Sequence, residues 1–482
     1  DFYQYNYDGY VNSEYGFAAG YKGSAYKESD RNLSYTINNL LTYEKSFGDH
    51  SLSVLLGQEA YALEYKLLSA EKQGFPFPGV TEIGSAAVMS SMNSYTDKYR
   101  LLSWLSRVEY DYKDRYYISG SFRTDGSSRF HPDNRWGQFW SLGGSWRISN
   151  EEFMKPYSSW LDNLKLKASY GAVGNDNLGT YYAYQGLYAT GMNNYRDPGV
   201  MVSRLSNKDL KWETNLQFNV GLDFALFDGR IGGTFEFFER RITDLLTFKP
   251  LNTYHDLTLV AANIGTTGGR GFEFTLNTKN IVTKDFSWFS DITFSRVKNW
   301  WVEHTSDWKP SVYEGDHDPM RAIYSRKAIG IMQEGDEAPA AQPDLRPGQL
   351  IIEDLNGYLR DPETGDPVVR NGRFVLTGKP DGQIDDADMR LIGTADPGFT
   401  IGFNNTFRYK GFDLNFNFYG SFDRRMMDPT RMAYGVNAWG MAQYGYNGLR
   451  SLDDRWLPDK PSTKNPSSFF AGSTYGYGDW FY

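Results

Sequence analysis

Hydrophobic and polar residues alternate with a period of two along most of this chain. That is the pattern of strands with one apolar and one polar face, not of helices. Over 217–227, Phe218, Val220, Leu222, Phe224 and Leu226 share one face. Gln217, Asn219, Gly221 and Asp223 share the other. Over 412–419, Phe412, Leu414, Phe416 and Phe418 oppose Asp413, Asn415 and Asn417. The same reading sets Phe272, Phe274 and Leu276 against Glu273, Thr275 and Asn277, and Leu164, Leu166, Ala168 and Tyr170 against Lys165, Lys167 and Ser169. The alternation recurs from about Asn32 to about Ser421, enough for roughly fourteen to sixteen strands. Several are near the ~10 residues that a tilted membrane strand needs. Short turns with Lys-Asp, Asp-Gly or Lys-Gly centres follow some strands, at 112–115, 227–230 and 409–412. Other connections, at 74–93, 189–211, 300–320, 336–397 and from 423 onward, are long and polar. Tight turns at one end and long loops at the other are the asymmetry of outer-membrane barrels.

Composition separates this reading from a soluble β-sandwich or β-helix, which would share the alternation. Aromatics make up 17% of the 482 residues, yet the mean hydropathy is −0.57. The aromatics come with Gly, Asn, Asp and Ser rather than with the aliphatics of a soluble core. Aromatic girdles, an apolar exterior and a polar interior need that mixture. No stretch reaches the ~18–20 apolar residues of a transmembrane helix. A closed barrel is the other structure that satisfies every backbone group in a bilayer. Cysteine is absent, which excludes disulfide scaffolds, thiol catalysis and Cys-ligated metal sites. The net charge of −9 argues against a nucleic-acid partner. No signal peptide is present at Asp1, so an exported protein would be mature or partial here.

An ordered set of segments goes further. Tyr110-Asp-Tyr-Lys-Asp-Arg-Tyr-Tyr117 leads into Gly120-Ser-Phe-Arg-Thr-Asp-Gly-Ser-Ser-Arg-Phe130, Asn134-Arg-Trp-Gly137 and Ser145-Trp-Arg-Ile-Ser149. Leu164-Lys-Leu-Lys-Ala-Ser-Tyr-Gly171, Gly174-Asn-Asp-Asn177 and Leu210-Lys-Trp-Glu-Thr214 follow. Asn263-Ile-Gly265, Arg270-Gly-Phe-Glu-Phe274 and Tyr409-Lys-Gly-Phe-Asp-Leu414 complete the series. In that order they resemble the barrel of SusC/RagA-family TonB-dependent outer-membrane transporters, from about Leu33 to Trp480. The resemblance implies an all-β, antiparallel transmembrane barrel of 22 strands in the complete family protein, plugged by an N-terminal domain. It implies TonB-driven import of large oligosaccharides, or peptides, with a SusD-like surface lipoprotein, and a possible dimer of that pair. On this reading residues 1–482 hold part of the barrel with its long extracellular loops. The plug domain and the last strands are expected outside them.

Family members carry an Asp-x-Asn-Gly-Asp-Gly-x-Ile-Asp-x-x-Asp segment in a long loop. Here Asp354-Leu-Asn-Gly357 and Asp381-Gly-Gln-Ile-Asp-Asp-Ala-Asp388 resemble its two halves, with 358–380 inserted between them. Joined, they would offer calcium Asp354, Asn356, Asp381, the Gln383 carbonyl, Asp385 and Asp388, with Gly382 at the sharp turn. Such an ion would be structural. The alternatives are an ion-free acidic loop and a metal-free turn of the same shape. Val368-Val-Arg and Arg373-Phe-Val-Leu around Asn371-Gly372 suggest that the insertion leaves the loop as a hairpin.

The remaining chemistry is sparse. Five scattered histidines lack zinc-ligand spacing, and neither a nucleophile elbow nor a phosphate-binding loop occurs, so no enzyme is expected. Aromatics in or beside long connections can stack on sugar faces. Trp300, Trp301, Trp308, Tyr434 and Trp439 are the substrate-binding candidates, beside Tyr444, Tyr446 and Trp456. Anchoring the membrane interface or packing loops is the competing role of such rings. By parity, Asp223, Glu273, Asp413, Arg123 and Arg147 face a wet interior, because a lipid-facing Lys or Arg at the midplane costs about 2–4 kcal/mol. A passive porin and a soluble glycan-binding β-protein are the alternative functions.

Overall fold

A computed structural model describes residues 1–11, 16–251, 257, 259–304, 311–315, 318–370, 373–435, 445, 447–467 and 476–481. Among them, thirteen strands of ten residues or more follow one another along the chain. They are β1 (Phe2–Val11), β2 (Ser24–Phe47), β3 (His50–Gln73), β4 (Val88–Tyr112), β5 (Tyr116–Ser127), β6 (Trp136–Arg147), β7 (Leu161–Asn175) and β8 (Glu213–Leu226), then β9 (Ile231–Thr243), β10 (Thr266–Val282), β11 (Phe286–Glu303), β12 (Phe399–Tyr409) and β13 (Phe412–Phe422). The alternation therefore begins at Phe2, upstream of Asn32. The shorter strands pair among themselves in the long connections, as Leu187–Thr190 does with Val200–Arg204.

The chain forms two compact units, 1–228 with 238–266 and 229–237 with 267–482. In the first, β1 to β8 pair antiparallel in chain order. In the second, β10, β11, β12 and β13 are neighbours in chain order. The turns explain the regularity. Lys113 and Asp114 (φ +57° and +54°), and Asp228 and Gly229 (φ +56° and +65°), adopt the left-handed conformations that match the twist of paired strands. Asp and Gly tolerate them at little cost.

Cross-strand partners share a face, so register sorts the side chains. One face of the first unit carries rows such as Tyr43–Val54–Val108 and Leu41–Leu56–Ser106–Phe122–Trp140. The large rings and aliphatics on it are exposed, with Leu41 at 66%, Ile118 and Leu142 at 62% and Trp104 at 54%. In water such a surface would be far larger than a monomer tolerates. At the short-turn end, Tyr112, Tyr116 and Trp146 stack in sequence, 6.5 Å apart at each step. Glu151 accepts from the Tyr116 hydroxyl at 2.5 Å and the Trp146 indole at 3.0 Å. In the second unit Phe235, Phe272, Phe294, Phe399 and Phe422 form a ladder of rings 4.9–6.1 Å apart. Both are interfacial girdles in the making.

The other face is polar. Arg123 bonds Asp125 at 2.7 Å, Glu59 at 3.1 Å and Ser103 at 3.0 Å. Lys167 pairs with Asp223 at 3.0 Å, and Arg147 with Asp114 at 2.5 Å. Glu273 accepts from Ser295, and Asp413 pairs with Arg408. These five parity assignments place their charges off the apolar face.

Candidate functional site

Function in such a chain resides in what the strands hold at their long-loop end. The split acidic segment is rejoined there. Asp354 accepts the backbone N–H of Asp381 at 3.2 Å and of Gly382 at 2.8 Å. Gly357 packs so tightly against Asp381 that a Cβ would lie 2.4 Å from its own. Gly382 takes φ +82°, a turn conformation that suits glycine. The insertion leaves the loop as a ladder. Thr377 N–H donates to the Gly357 carbonyl, Leu359 N–H to Val375, and Val369–Arg370 pairs with Arg373–Phe374. The turn residues Asn371 and Gly372 lie outside the described residues.

The six candidate ligands are thus gathered in one loop, and hard oxygen donors of this kind suit calcium. Their carboxylates are engaged with backbone. Buried Asp388 accepts from Leu355 at 2.7 Å, Asn356 at 3.1 Å and Asp385 at 2.8 Å, while Asp385 caps Ala387 at 2.7 Å. Asp381 accepts from Gln383 N–H at 3.0 Å. Among the described residues no three His, Cys, Asp or Glu side chains converge as a metal cluster. Burial raises the Asp385 carboxyl above the usual range, and the neighbouring carboxylates of Asp388, Asp381 and Asp386 add to it.

The aromatic candidates separate. Trp300 is half-buried, with the Arg270 guanidinium 5.7 Å from its ring and Gly268 against its indole, where a Cβ would come within 2.8 Å. Trp301, its chain neighbour and so on the opposite face, lies 5.0 Å from His304. Tyr434 closes the short helix Pro429–Tyr434, and its carbonyl accepts from Leu449 N–H. Trp308, Trp439, Tyr444 and Tyr446 lie outside the described residues. Trp456 is 6% exposed, in a core with Ile331, Leu350 and Ile352, and donates to Gln333 at 3.1 Å. Its place is structural.

The ordered motifs have a role that sequence reading missed: they knit the loops of the first unit. Trp212 sits between Phe130 and Phe139, with ring centroids 5.5 and 5.3 Å away. Its indole donates to the Arg135 carbonyl at 2.8 Å. Leu210, Leu246, Ala183 and Ala261 complete this core. At Gly174 a Cβ would stand 2.0 Å from the Phe139 ring, so a glycine is required there. Asn263 clamps two segments, donating to the Lys211 and Asp244 carbonyls at 2.8 Å and accepting from Lys211 N–H at 2.9 Å. Asp176 takes hydrogen bonds from Tyr99 at 2.9 Å, Ser127 at 2.6 Å and Arg129 at 3.2 Å. The Arg129 guanidinium lies 4.7 Å from the Tyr99 ring and 5.0 Å from that of Tyr181.

Antiparallel strands with an apolar exposed face, a charged opposite face, ringed girdles and knitted long loops define the spanning strands of an outer-membrane β-barrel. The family model described as "TonB dependent receptor-like, beta-barrel" matches residues 1–320. The chain belongs to this family of TonB-dependent receptors, and it is an outer-membrane protein. TonB-dependent receptor P3 of Formosa agariphila is 31% identical over 472 residues, covering 93% of this chain and 44% of that protein. TonB-dependent receptor SusC of Bacteroides thetaiotaomicron is 34% identical over 302 residues, covering 60% of this chain and 29% of that protein. The chain therefore spans less than half the length of these curated relatives. The structure of the RagAB peptide transporter shares the fold, with a TM-score of 0.74 at 24% identity over 92% of this chain and 47% of that one.

Proposed function

We propose that this chain forms the barrel strands of an energised importer for large oligosaccharides or peptides. It works with a SusD-like surface lipoprotein at the long-loop end and with TonB acting on a plug domain. The family match over residues 1–320 carries this reading. The relative named SusC and the fold shared with a peptide transporter support the class of substrate. The transported molecule passes unchanged, and no residue performs chemistry on it. The test is uptake of labelled oligosaccharide and oligopeptide pools by cells carrying the intact transporter. Uptake that stops on dissipating the proton-motive force, or on deleting the co-purifying lipoprotein, is the expected result. Uptake that continues undiminished identifies a passive porin instead.

Two site assignments belong to this proposal. Of the aromatic candidates, Trp301 and Tyr434 offer ring faces to the substrate; Trp300 lies on the opposite face of its strand from Trp301, and Trp308 and Trp439 lie outside the described residues. Loss of one stacking ring, as in Trp301→Ala, is expected to raise the half-saturating substrate concentration about two- to tenfold. The rejoined loop of Asp354, Asn356, Asp381, Gln383, Asp385 and Asp388 is assigned a structural calcium ion, on the ground that Asp354 meets Asp381 and Gly382 across the insertion. Calorimetric titration of the intact protein should show calcium binding that Asp381→Ala abolishes. A flat titration removes the ion from the account.

A further inference from the structure

The apolar face of β2, β3 and β4 ends in positive charge. From Leu52 upward, its rows are Tyr43–Val54–Val108, Leu41–Leu56–Ser106, Asn39–Gln58–Trp104 and Ile37–Ala60–Leu102. None contains a charged side chain. The nearest charge toward the short turn is Lys45, opposite Leu52. The first charge in the other direction is Arg100, in the row Tyr35–Ala62–Arg100. Leu52 to Ala62 is ten steps, which at ~3.4 Å each and a tilt of ~40° gives a height of about 26 Å. The apolar band of an outer-membrane barrel is ~25 Å tall. The rows above Ala62 therefore stand at the headgroup level of the outer leaflet, on the side away from the short turns.

Those rows are Tyr35–Ala62–Arg100, Leu33–Glu64–Lys98 and Arg31–Lys66–Thr96. Arg31, Lys66, Lys98 and Arg100 are all exposed, against one carboxylate. Glu64 is shared by Lys66 at 2.7 Å and Lys98 at 3.3 Å. Arg31 lies 5.2 Å from the Phe2 ring, and among the described residues neither it nor Arg100 has an acidic partner. Arg31 and Lys66 are directly opposite each other, an arrangement of like charges that destabilises a strand pair. Of the nearby acids, Glu28, Asp30, Glu71 and Asp97 fall on the other face by register, while Asp8, two rows beyond Arg31 on this face, pairs with Lys27 at 3.5 Å. In a chain of net charge −9, this segregation leaves an uncompensated cationic patch directly above an apolar band.

We propose that Arg31, Lys66, Lys98 and Arg100 bind the phosphate groups of a phosphorylated glycolipid of the outer leaflet. Its acyl chains lie along Ile37, Leu41, Leu56, Leu102 and Trp104. Phosphate oxygens take the charge-assisted hydrogen bonds that the single carboxylate leaves unmade. Continuity of the patch with the apolar band selects a lipid over a soluble anion.

The test uses the full-length transporter in detergent, with diphosphorylated lipid A as the probe and native mass spectrometry as the readout. Wild type should retain lipid A through detergent exchange. Replacing all four cations, in R31Q/K66Q/K98Q/R100Q, should weaken retention by about 10³-fold if each cation contributes roughly what a basic residue does at an anionic surface. Glu64→Gln, which removes the competing carboxylate, should strengthen retention several-fold. It keeps the test decisive if the quadruple variant fails to fold. Unchanged retention in the quadruple variant, or in Glu64→Gln where the quadruple variant fails to fold, overturns the proposal. So does equal retention of dephosphorylated lipid A, or equally effective competition by phosphatidylglycerol or inorganic phosphate.

Discussion

Removing the Asp176 carboxylate should open the loop that follows β7 without unfolding the strands. The side chains of Asp176 and Arg129 are 14% and 12% exposed, so the pair is largely out of water. Asp176→Ala would leave the Arg129 guanidinium without its anion, and the Tyr99 and Ser127 hydroxyls without their acceptor. Breaking a buried pair in this one-sided way costs about 3–5 kcal/mol. The Tyr99 and Tyr181 rings still face the guanidinium and hold back about 1 kcal/mol. The net is about 2–4 kcal/mol, an increase of roughly 30- to 700-fold in the open population at 1.4 kcal/mol per decade. Opening is local, so the assay is limited proteolysis of loop 176–212 under conditions where cleavage tracks the open fraction. The companion variant carries Arg129→Met as well. With no charge left to strand, it should recover most of the protection. Cleavage of Asp176→Ala at the wild-type rate, or a double variant as labile as the single one, would refute the idea that this pair holds the loop.

Three other outcomes are expected. Trp212→Ala, which empties a buried ring site and orphans the Arg135 carbonyl, should destabilise the loop core by about 3–5 kcal/mol; Trp212→Phe should cost visibly less, and equal urea midpoints for the two would contradict the packing argument. Gly171→Ala places a Cβ 2.7 Å from the Trp140 carbonyl oxygen and 2.9 Å from the Ser141 Cβ. It should lower the yield of heat-modifiable folded protein by straining the β6–β7 ladder, at about 1–3 kcal/mol. At the turn after β4, the Tyr117 hydroxyl, then Arg147 and Asn150, hold the Asp114 carboxyl below the usual carboxylate range. A depressed carboxyl stabilises the fold above its unfolded value of ~3.9 and loses that contribution as pH falls through the folded value. Amide protection at 113–116, the exchange rate taken relative to the intrinsic rate at each pH, should therefore stay level from pH 7 to about 4 and fall below it, while Asp114→Asn shows no such step.

Much of the strand architecture was legible because its causes are local. Period-two alternation puts Phe218 and Leu222 on one face and Asp223 on the other wherever the strand lies. Lys113-Asp114 and Asp228-Gly229 accept left-handed turns on their own account. The tertiary structure decided what depends on pairing between distant residues. It brought Asp354 to Asp381 and Gly382 across an inserted ladder. It buried Trp456, which in sequence is one more aromatic in a polar loop. It also turned scattered residues of the ordered motifs into a clamp, with Asp176 against Arg129 and Trp212 against Arg135. Register had the same effect on charge. Arg31, Lys66 and the Lys98–Arg100 pair are far apart in the chain, with Asp30 and Asp97 beside two of them in sequence, and only strand pairing sets the three groups together on one face. Faces follow from a single strand's sequence, whereas neighbours follow from how strands align. Alignment is set by turns and buried partners distributed over the whole chain.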